Sequence, residues 1–193
     1  MDVIIKGATE GAIPFLEFDM RQNAHAIPAF SQLFRKVRPS RIIEIGTFSG
    51  GLTCFLGLYG NLFNIPVITY DITDYRNEVT KNWFEKFNIE YRLIDAFQDP
   101  QLIQDIRKDG VTLLLCDGGN KPEEMNHFSQ FLKPGDIIMA HDYCSDRNTF
   151  NRDFNGKIWS WCEISDNVID VNNCEDFMKN EFTSAVWVCK RKK

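Results

Sequence analysis

The 193-residue sequence has no run approaching the roughly 18–20 apolar residues of a membrane-spanning helix, so no membrane partner is expected. Its first residues, MDVIIKGATEGAIPF, place no basic region ahead of a long apolar run, and no secretory leader is read there. None of the six cysteines belongs to a CxxC pair, which leaves zinc-knuckle and thioredoxin-like readings without support. Cys54, Cys116 and Cys189 sit inside apolar runs, where a free thiol behaves as a small buried hydrophobe. Reduced thiols and a cytoplasmic setting are the expectation. A basic excess is missing as well. Lys and Arg number 22 against 27 Asp and Glu, a net charge of −5, and that balance argues against a nucleic-acid partner. No internal repeat or low-complexity segment is visible.

What is present suffices for one domain, 1–193, with residues 1–26 as an N-terminal extension or lid. A hydrophobic fraction of 44% with 25% charged residues excludes a disordered chain. Sixteen Phe point to a core or pocket rich in rings. Apolar, β-branched runs occur at 41–46, 66–71, 89–95, 111–117, 136–142 and 184–190, the pattern of strands buried on both faces of a parallel sheet. Helical spacing fills the gaps at 27–38, 50–60, 76–87, 101–109 and 122–132. Within them, Val79, Trp83 and Phe87 are expected to form one buried stripe, and Met125, Phe128 and Leu132 another. Lys133-Pro134-Gly135 then stops the last helix. Alternating strand and helix predicts an α/β, Rossmann-like, doubly wound and mostly parallel sheet of about seven strands, with helices on both faces. A last strand that follows the irregular segment 144–183 is expected to return antiparallel.

The first strand, RIIEIG, runs into Gly46-Thr47-Phe48-Ser49-Gly50-Gly51 ahead of a helix. Glycines at such a turn let backbone approach a ligand, and the helix start supplies unpaired N–H groups. A dinucleotide fingerprint would be GxGxxG, but Phe48 stands where its middle glycine belongs, which disfavours a pyrophosphate. Glu44 at the strand end suits a cationic ligand. Asp71, 25 residues after Gly46, can accept from both hydroxyls of a ribose. Asp95-Ala96-Phe97 offers an acid beside a ring, suited to an adenine. The implied ligand carries a ribose, a purine and an ammonium or sulfonium, a description that S-adenosylmethionine fits. The plain alternative is a tight turn and a solvated acid at a strand end.

Glu44-Ile45-Gly46-Thr47-Phe48-Ser49-Gly50 resembles motif I of class I S-adenosylmethionine-dependent methyltransferases. The form ExGxxxG looks most like the caffeoyl-CoA and catechol O-methyltransferase branch. Gly51 adds a likeness to the cephalosporin hydroxylase and rhamnosyl O-methyltransferase group. The resemblance spans roughly residues 27–143. It implies that Gly46, Phe48 and Gly50 frame the methionine end of the cofactor, with Thr47 and Ser49 in the same loop, Asp71 on the ribose, and Asp95, Ala96 and Phe97 on the adenine. It also implies a lid from the N-terminal extension, with Phe15 and Phe18 as candidates.

Two further acids end the fourth and fifth strands, Asp117 in VTLLLCD and Asp142 in DIIMAHD. Carboxylates on neighbouring strand ends can share Mg²⁺ or Ca²⁺, and the adjoining His141 would admit Mn²⁺ or a related ion. His141 is equally a candidate general base near neutral pH. In the resembled family an acid after the fourth strand and an Asp-Asn pair after the fifth hold a divalent metal, which lowers the pKa of the acceptor hydroxyl. Asp117 and Asp142 match two of those ligands, and Asp117 would also border the cofactor. Tyr143 stands where the family has Asn. Lys121, four residues after Asp117 where the family's lysine comes three after its acid, is the remaining catalytic candidate. The bland readings are that Asp117 caps its loop and that His141 is a satisfied core histidine.

Trp187 is assigned to the core. Trp159 and Trp161 are assigned to packing, with an aromatic acceptor pocket as the alternative. The leading expectation is therefore an O-methyltransferase acting on a small hydroxylated molecule or sugar, with S-adenosyl-L-methionine, a possible divalent cation, and a homodimer favoured by exposed aromatics. The rivals are an NAD-dependent oxidoreductase on a similar sheet and a non-catalytic binding module of the same fold.

Overall fold

Each apolar run contributes a strand to one sheet, and the caps between them explain where the helices start. The structure, a computed structural model, describes residues 14, 15, 18–171 and 173–193. A short hairpin, β1 (Pro14–Phe15) and β2 (Phe18–Asp19), precedes α1 (Ala26–Lys36). The alternating body follows as β3 (Arg41–Ile45), α2 (Gly51–Phe63), β4 (Val67–Asp71), α3 (Glu78–Lys86), β5 (Glu90–Leu93), α4 (Pro100–Arg107), β6 (Thr112–Cys116), α5 (Lys121–Phe128) and β7 (Ile137–Ala140). A short α6 (Arg147–Thr149) continues as a wider turn to Phe154, and β8 (Cys174–Asp176), α7 (Lys179–Thr183) and β9 (Val188–Lys192) complete the chain. Asn77, Asp99 and Asn120 cap α3, α4 and α5 by accepting the backbone N–H of Thr80, Gln101 and Glu123. Pro100 and Pro122 occupy first-turn positions, where the missing N–H costs nothing.

The sheet has seven strands in the order β5-β4-β3-β6-β7-β9-β8. The first five are mutually parallel; β9 runs antiparallel to β7, and β8 antiparallel to β9. Only β9 is therefore reversed, as expected for a Rossmann-like sheet with an antiparallel last strand. Side-chain alternation divides the core in two. Ile42, Leu113, Leu115 and Met139 pack on Phe30, Leu56, Phe182 and Trp187 on one face. Ile43, Leu114, Cys116 and Ile138 pack on Leu102, Ile106, Met125 and Phe128 on the other. Each such side chain contributes about 1.5–3 kcal/mol by leaving water.

Several expectations are corrected. β5 is an edge strand with half-exposed to exposed side chains, not one buried on both faces, because no strand among the described residues lies beyond it. On α3 the buried residues are Thr80 and Phe84; Val79 is exposed and Trp83 and Phe87 only pack at the margin. The last strand begins at Val188, since Val186 has φ +57° and cannot extend the ladder. The α-helix that opens with Lys121 ends at Phe128 and finishes as a 3-10 turn, Ser129–Phe131, so Leu132 reaches the core from beyond it. β8 was hidden in the irregular segment because its side chains are half-exposed to exposed and carry no apolar run. The rings of Phe15 and Phe18, the expected lid, lie outside the described side chains.

Candidate functional site

The turn from β3 into α2 is built by two left-handed residue types. Gly46 has φ +95°, and a Cβ there would lie 2.2 Å from the Asp117 carbonyl oxygen. Only glycine lets the ends of β3 and β6 touch at this point. Gly50, φ +82°, opens α2 without a side-chain cap. A Cβ on Gly51 would strike the Asp19 carbonyl at 2.2 Å, so the N-terminal hairpin packs directly on the start of α2. Phe48 sits at φ +49° and donates its N–H to Asp71 Oδ2 at 2.8 Å. Thr47 is buried, and its hydroxyl meets Thr69 Oγ1 at 2.6 Å and the Tyr70 carbonyl at 3.1 Å.

Beneath this loop lies Glu44, 1% exposed. Its Oε2 accepts from Thr53 Oγ1 at 2.5 Å and Thr69 Oγ1 at 2.6 Å, tying β3 to α2 and β4. Burial pushes its carboxyl up to about 8, against the opposing pull of the two hydroxyls.

Two cavities open at the carboxyl edge of the sheet, where ligands of such folds bind, and both include Gly46. One, about 260 Å³, is lined by Asp71, Asp95, Ala96, Phe97, Asn120 and Glu124 among others. Asp71 serves Phe48 N with one oxygen and Thr73 N, at 3.1 Å, with the other. Asp95 accepts Phe97 N at 2.9 Å. Buried Glu124 accepts the N–H groups of Gly118 and Asn120, each at 3.2 Å, and burial pushes its carboxyl up to about 7. Glu124 belongs to the first turn of α5 and reaches back to the loop after β6, a role that sequence reasoning did not assign to it.

The other cavity, about 330 Å³, is lined by Glu44, Phe48, Asp117, His141, Asp142 and Trp159, with Thr47, Ser49, Arg21 and Trp161 around them. The candidate residues thus divide between two neighbouring cavities, and Gly50 and Lys121 line neither. At the ends of β6 and β7 the structure brings Asp117, His141 and Asp142 together, one donor atom from each lying within 4.8 Å of the others. His141 Nδ1 is 3.3 Å from Asp117 Oδ1 and 3.5 Å from Asp142 Oδ1. Burial would lower the His141 pKa, but the two carboxylates outweigh it and the net direction is upward. Its Nε2 is buried without a hydrogen-bond partner among the described residues, which argues against the satisfied-histidine reading. The ring is flanked by Trp159 and Trp187, at 5.1 and 4.8 Å between centroids.

Lys121 reaches the same acids from behind the wall. Its Nζ lies 3.1 Å from Asp142 Oδ2, 3.5 Å from Asp117 Oδ1 and 2.6 Å from Glu163 Oε2. Burial works against its charge, but the three carboxylates prevail and raise its pKa, so the geometry holds it as their counter-ion. Tyr143, at the position of the family's third ligand, donates its hydroxyl to Asp166 Oδ1 at 2.7 Å and is committed there.

Three contributors were missed. Gln22 Nε2 donates to Asp117 Oδ2 at 3.5 Å while its Oε1 accepts from Trp187 Nε1 at 2.8 Å. Trp159 Nε1 donates to Asp142 Oδ1 at 2.5 Å, so a residue assigned to packing also holds the site. Glu163 pairs with Lys121 across 42 residues of chain. Nothing local in the sequence links these partners.

No protein-family model matches the sequence, and no curated protein is significantly similar to it. Among solved structures, ligand-free CmcI superposes with TM-score 0.68 at 15% identity, covering 93% of this chain and 76% of CmcI. CmcI with Mg and SAM gives 0.65 at 15% identity, over 94% and 77% of the two chains. The O-methyltransferase from Bacillus cereus in complex with SAH gives 0.52 at 14% identity, over 88% and 84%. At such identities the likeness is one of fold.

Proposed function

From a chain with the Rossmann-like fold of S-adenosylmethionine-dependent methyltransferases, we propose that it transfers a methyl group from S-adenosylmethionine to a hydroxyl of a small molecule. The observation that carries the reading is the pair of cavities meeting at Gly46. In the smaller one, Asp71 would take the ribose, and Asp95 with Ala96 and Phe97 the adenine. The sulfonium would lie at the Gly46 junction, framed by Thr47, Phe48, Ser49 and Gly50; Glu44, protonated up to about pH 8 and bonded to Thr53 and Thr69, braces the loop from beneath rather than supplying a charge. The acceptor hydroxyl would enter the larger cavity beside Asp117, His141 and Asp142. As the new O–CH₃ bond forms, the S–CH₃ bond breaks to leave a neutral thioether, and the hydroxyl proton passes to the Asp117–His141 pair. The rate would come from in-line positioning and proton removal.

The donor distances of Asp117, His141 and Asp142 admit a divalent ion, but the Lys121 ammonium already sits on both carboxylates, so no step is routed through a metal. The whole chain is read as one catalytic domain. Exposed Leu62 and Phe63 at the end of α2 favour a homodimer. Among the described residues no helix is long and apolar enough to cross a membrane, and the cytoplasmic placement rests on the free thiols.

Calorimetry with S-adenosylmethionine, S-adenosylhomocysteine and NAD tests the reading. Binding of both adenosyl ligands and not of NAD is expected. Folded protein that binds neither adenosyl ligand would overturn it.

A further inference from the structure

Side chains that come together as a metal-binding set can also be satisfied by a cation of the chain itself. We propose that the Lys121 ammonium takes the place of a divalent ion between Asp117 and Asp142, and that this site works without metal. The proposal deepens the methyltransferase reading, but its main readout is metal binding and does not depend on methyl transfer.

An ammonium has three donors and no acceptor. Around Lys121 Nζ lie Glu163 Oε2 at 2.6 Å, Asp142 Oδ2 at 3.1 Å, the Gly118 carbonyl at 3.3 Å and Asp117 Oδ1 at 3.5 Å. Its donors are therefore used, and all by oxygens at this cluster. The carboxylates are engaged on their other sides too. Asp142 Oδ1 accepts Trp159 Nε1, and Asp117 Oδ2 accepts Gln22 Nε2. A hard divalent cation needs several oxygens at about 2.0–2.6 Å with free lone pairs. Here it would have to share both aspartates with the donors they already serve and settle beside a positive charge.

Lys121 is not a surface side chain that swings away. Its side chain is 6% exposed, and its backbone is held as the first residue of α5 by the Asn120 cap and Pro122. Because it lines neither cavity, Lys121 is a positioning residue: it sets the spacing of Asp117 and Asp142 and supplies the positive field a metal would otherwise give.

The test is a Mn²⁺ titration of the full chain, with free ion followed by electron paramagnetic resonance. Wild-type protein, Lys121→Met, Asp142→Asn and the double variant Lys121→Met/Asp142→Asn are compared. Expected are no stoichiometric site in the wild type, a gain of roughly 10–100-fold in affinity for Lys121→Met, and loss of that gain in the double variant. A wild-type Mn²⁺ site abolished by Asp142→Asn alone would overturn the proposal, and so would a folded Lys121→Met that gains nothing. Should Lys121→Met not fold, Lys121→Gln carries the same arm. Absence of adenosyl-ligand binding would sink the methyltransferase reading while leaving the Mn²⁺ result standing.

Discussion

The two cavities beside Gly46 use acids in opposite ways. On the β4–β5 side, Asp71, Asp95 and Glu124 accept backbone N–H groups, mostly from nearby residues. On the β6–β7 side, Asp117 and Asp142 are held by the side chains of Lys121, His141, Gln22 and Trp159. Acids that shape loops keep lone pairs for a hydroxylated ligand. Asp117 and Asp142 instead form a cluster tied together by side-chain donors. On the proposed reading, the difference separates a binding side from a reacting side within one sheet edge.

Gly46→Ala should break the comparison outright, since the joint itself is lost. The positive φ and the 2.2 Å approach to Asp117 predict a loss of roughly 3 kcal/mol or more in urea unfolding. Glu44 gives the next effect. Its folded pKa of about 8 exceeds the ordinary 4.5, so the native state retains a proton that the unfolded state releases. That contribution is full below the unfolded pKa and is lost as pH rises through about 8, a decline on the order of a few kcal/mol. Glu44→Gln should flatten the denaturation profile across that window, and an unchanged slope would reject the assignment. Asp71→Ala should weaken S-adenosylhomocysteine by about 1–3 kcal/mol in calorimetry, through the lost ribose acceptor and the freed Phe48 N–H. Unchanged affinity would remove Asp71 from the binding side. Trp161→Ala should do least. The ring is 49% exposed at the mouth of the larger cavity, so stability should stay within about 0.5 kcal/mol and adenosyl-ligand affinity should hold. A loss of that affinity would show the two sides to be coupled.

The binding side was the more legible of the two for a physical reason. A left-handed glycine, an acid two residues before the N–H it accepts, and an Asn three residues before a helix N–H are all local devices. The rings sort similarly: of the Phe expected to build core from helices, Phe30, Phe34, Phe84 and Phe128 are buried and Phe87 and Phe131 half-buried, while Phe48 and Phe97 are exposed at the cavities. The reacting side depends on partners far apart in the chain. Gln22 and Asp117 are 95 residues apart, and Lys121 and Glu163 are 42 apart, so no spacing pattern announces them. Sequence reasoning found Lys121 but not its partners, because a lysine near two acids reads alike as a base or as their counter-ion until its distances are known.

Amphipathic periodicity, turn glycines and acids at strand ends were enough to establish an α/β sheet with a glycine turn and a row of acids at its edge. They could do so because each is enforced within a few residues by backbone sterics and hydrogen bonding. Which acids meet, and what neutralises them, was settled only when α5, the loop after β7 and the N-terminal segment packed against one another. Charges a few ångströms apart in a buried place govern one another's state, and chain distance carries no record of that.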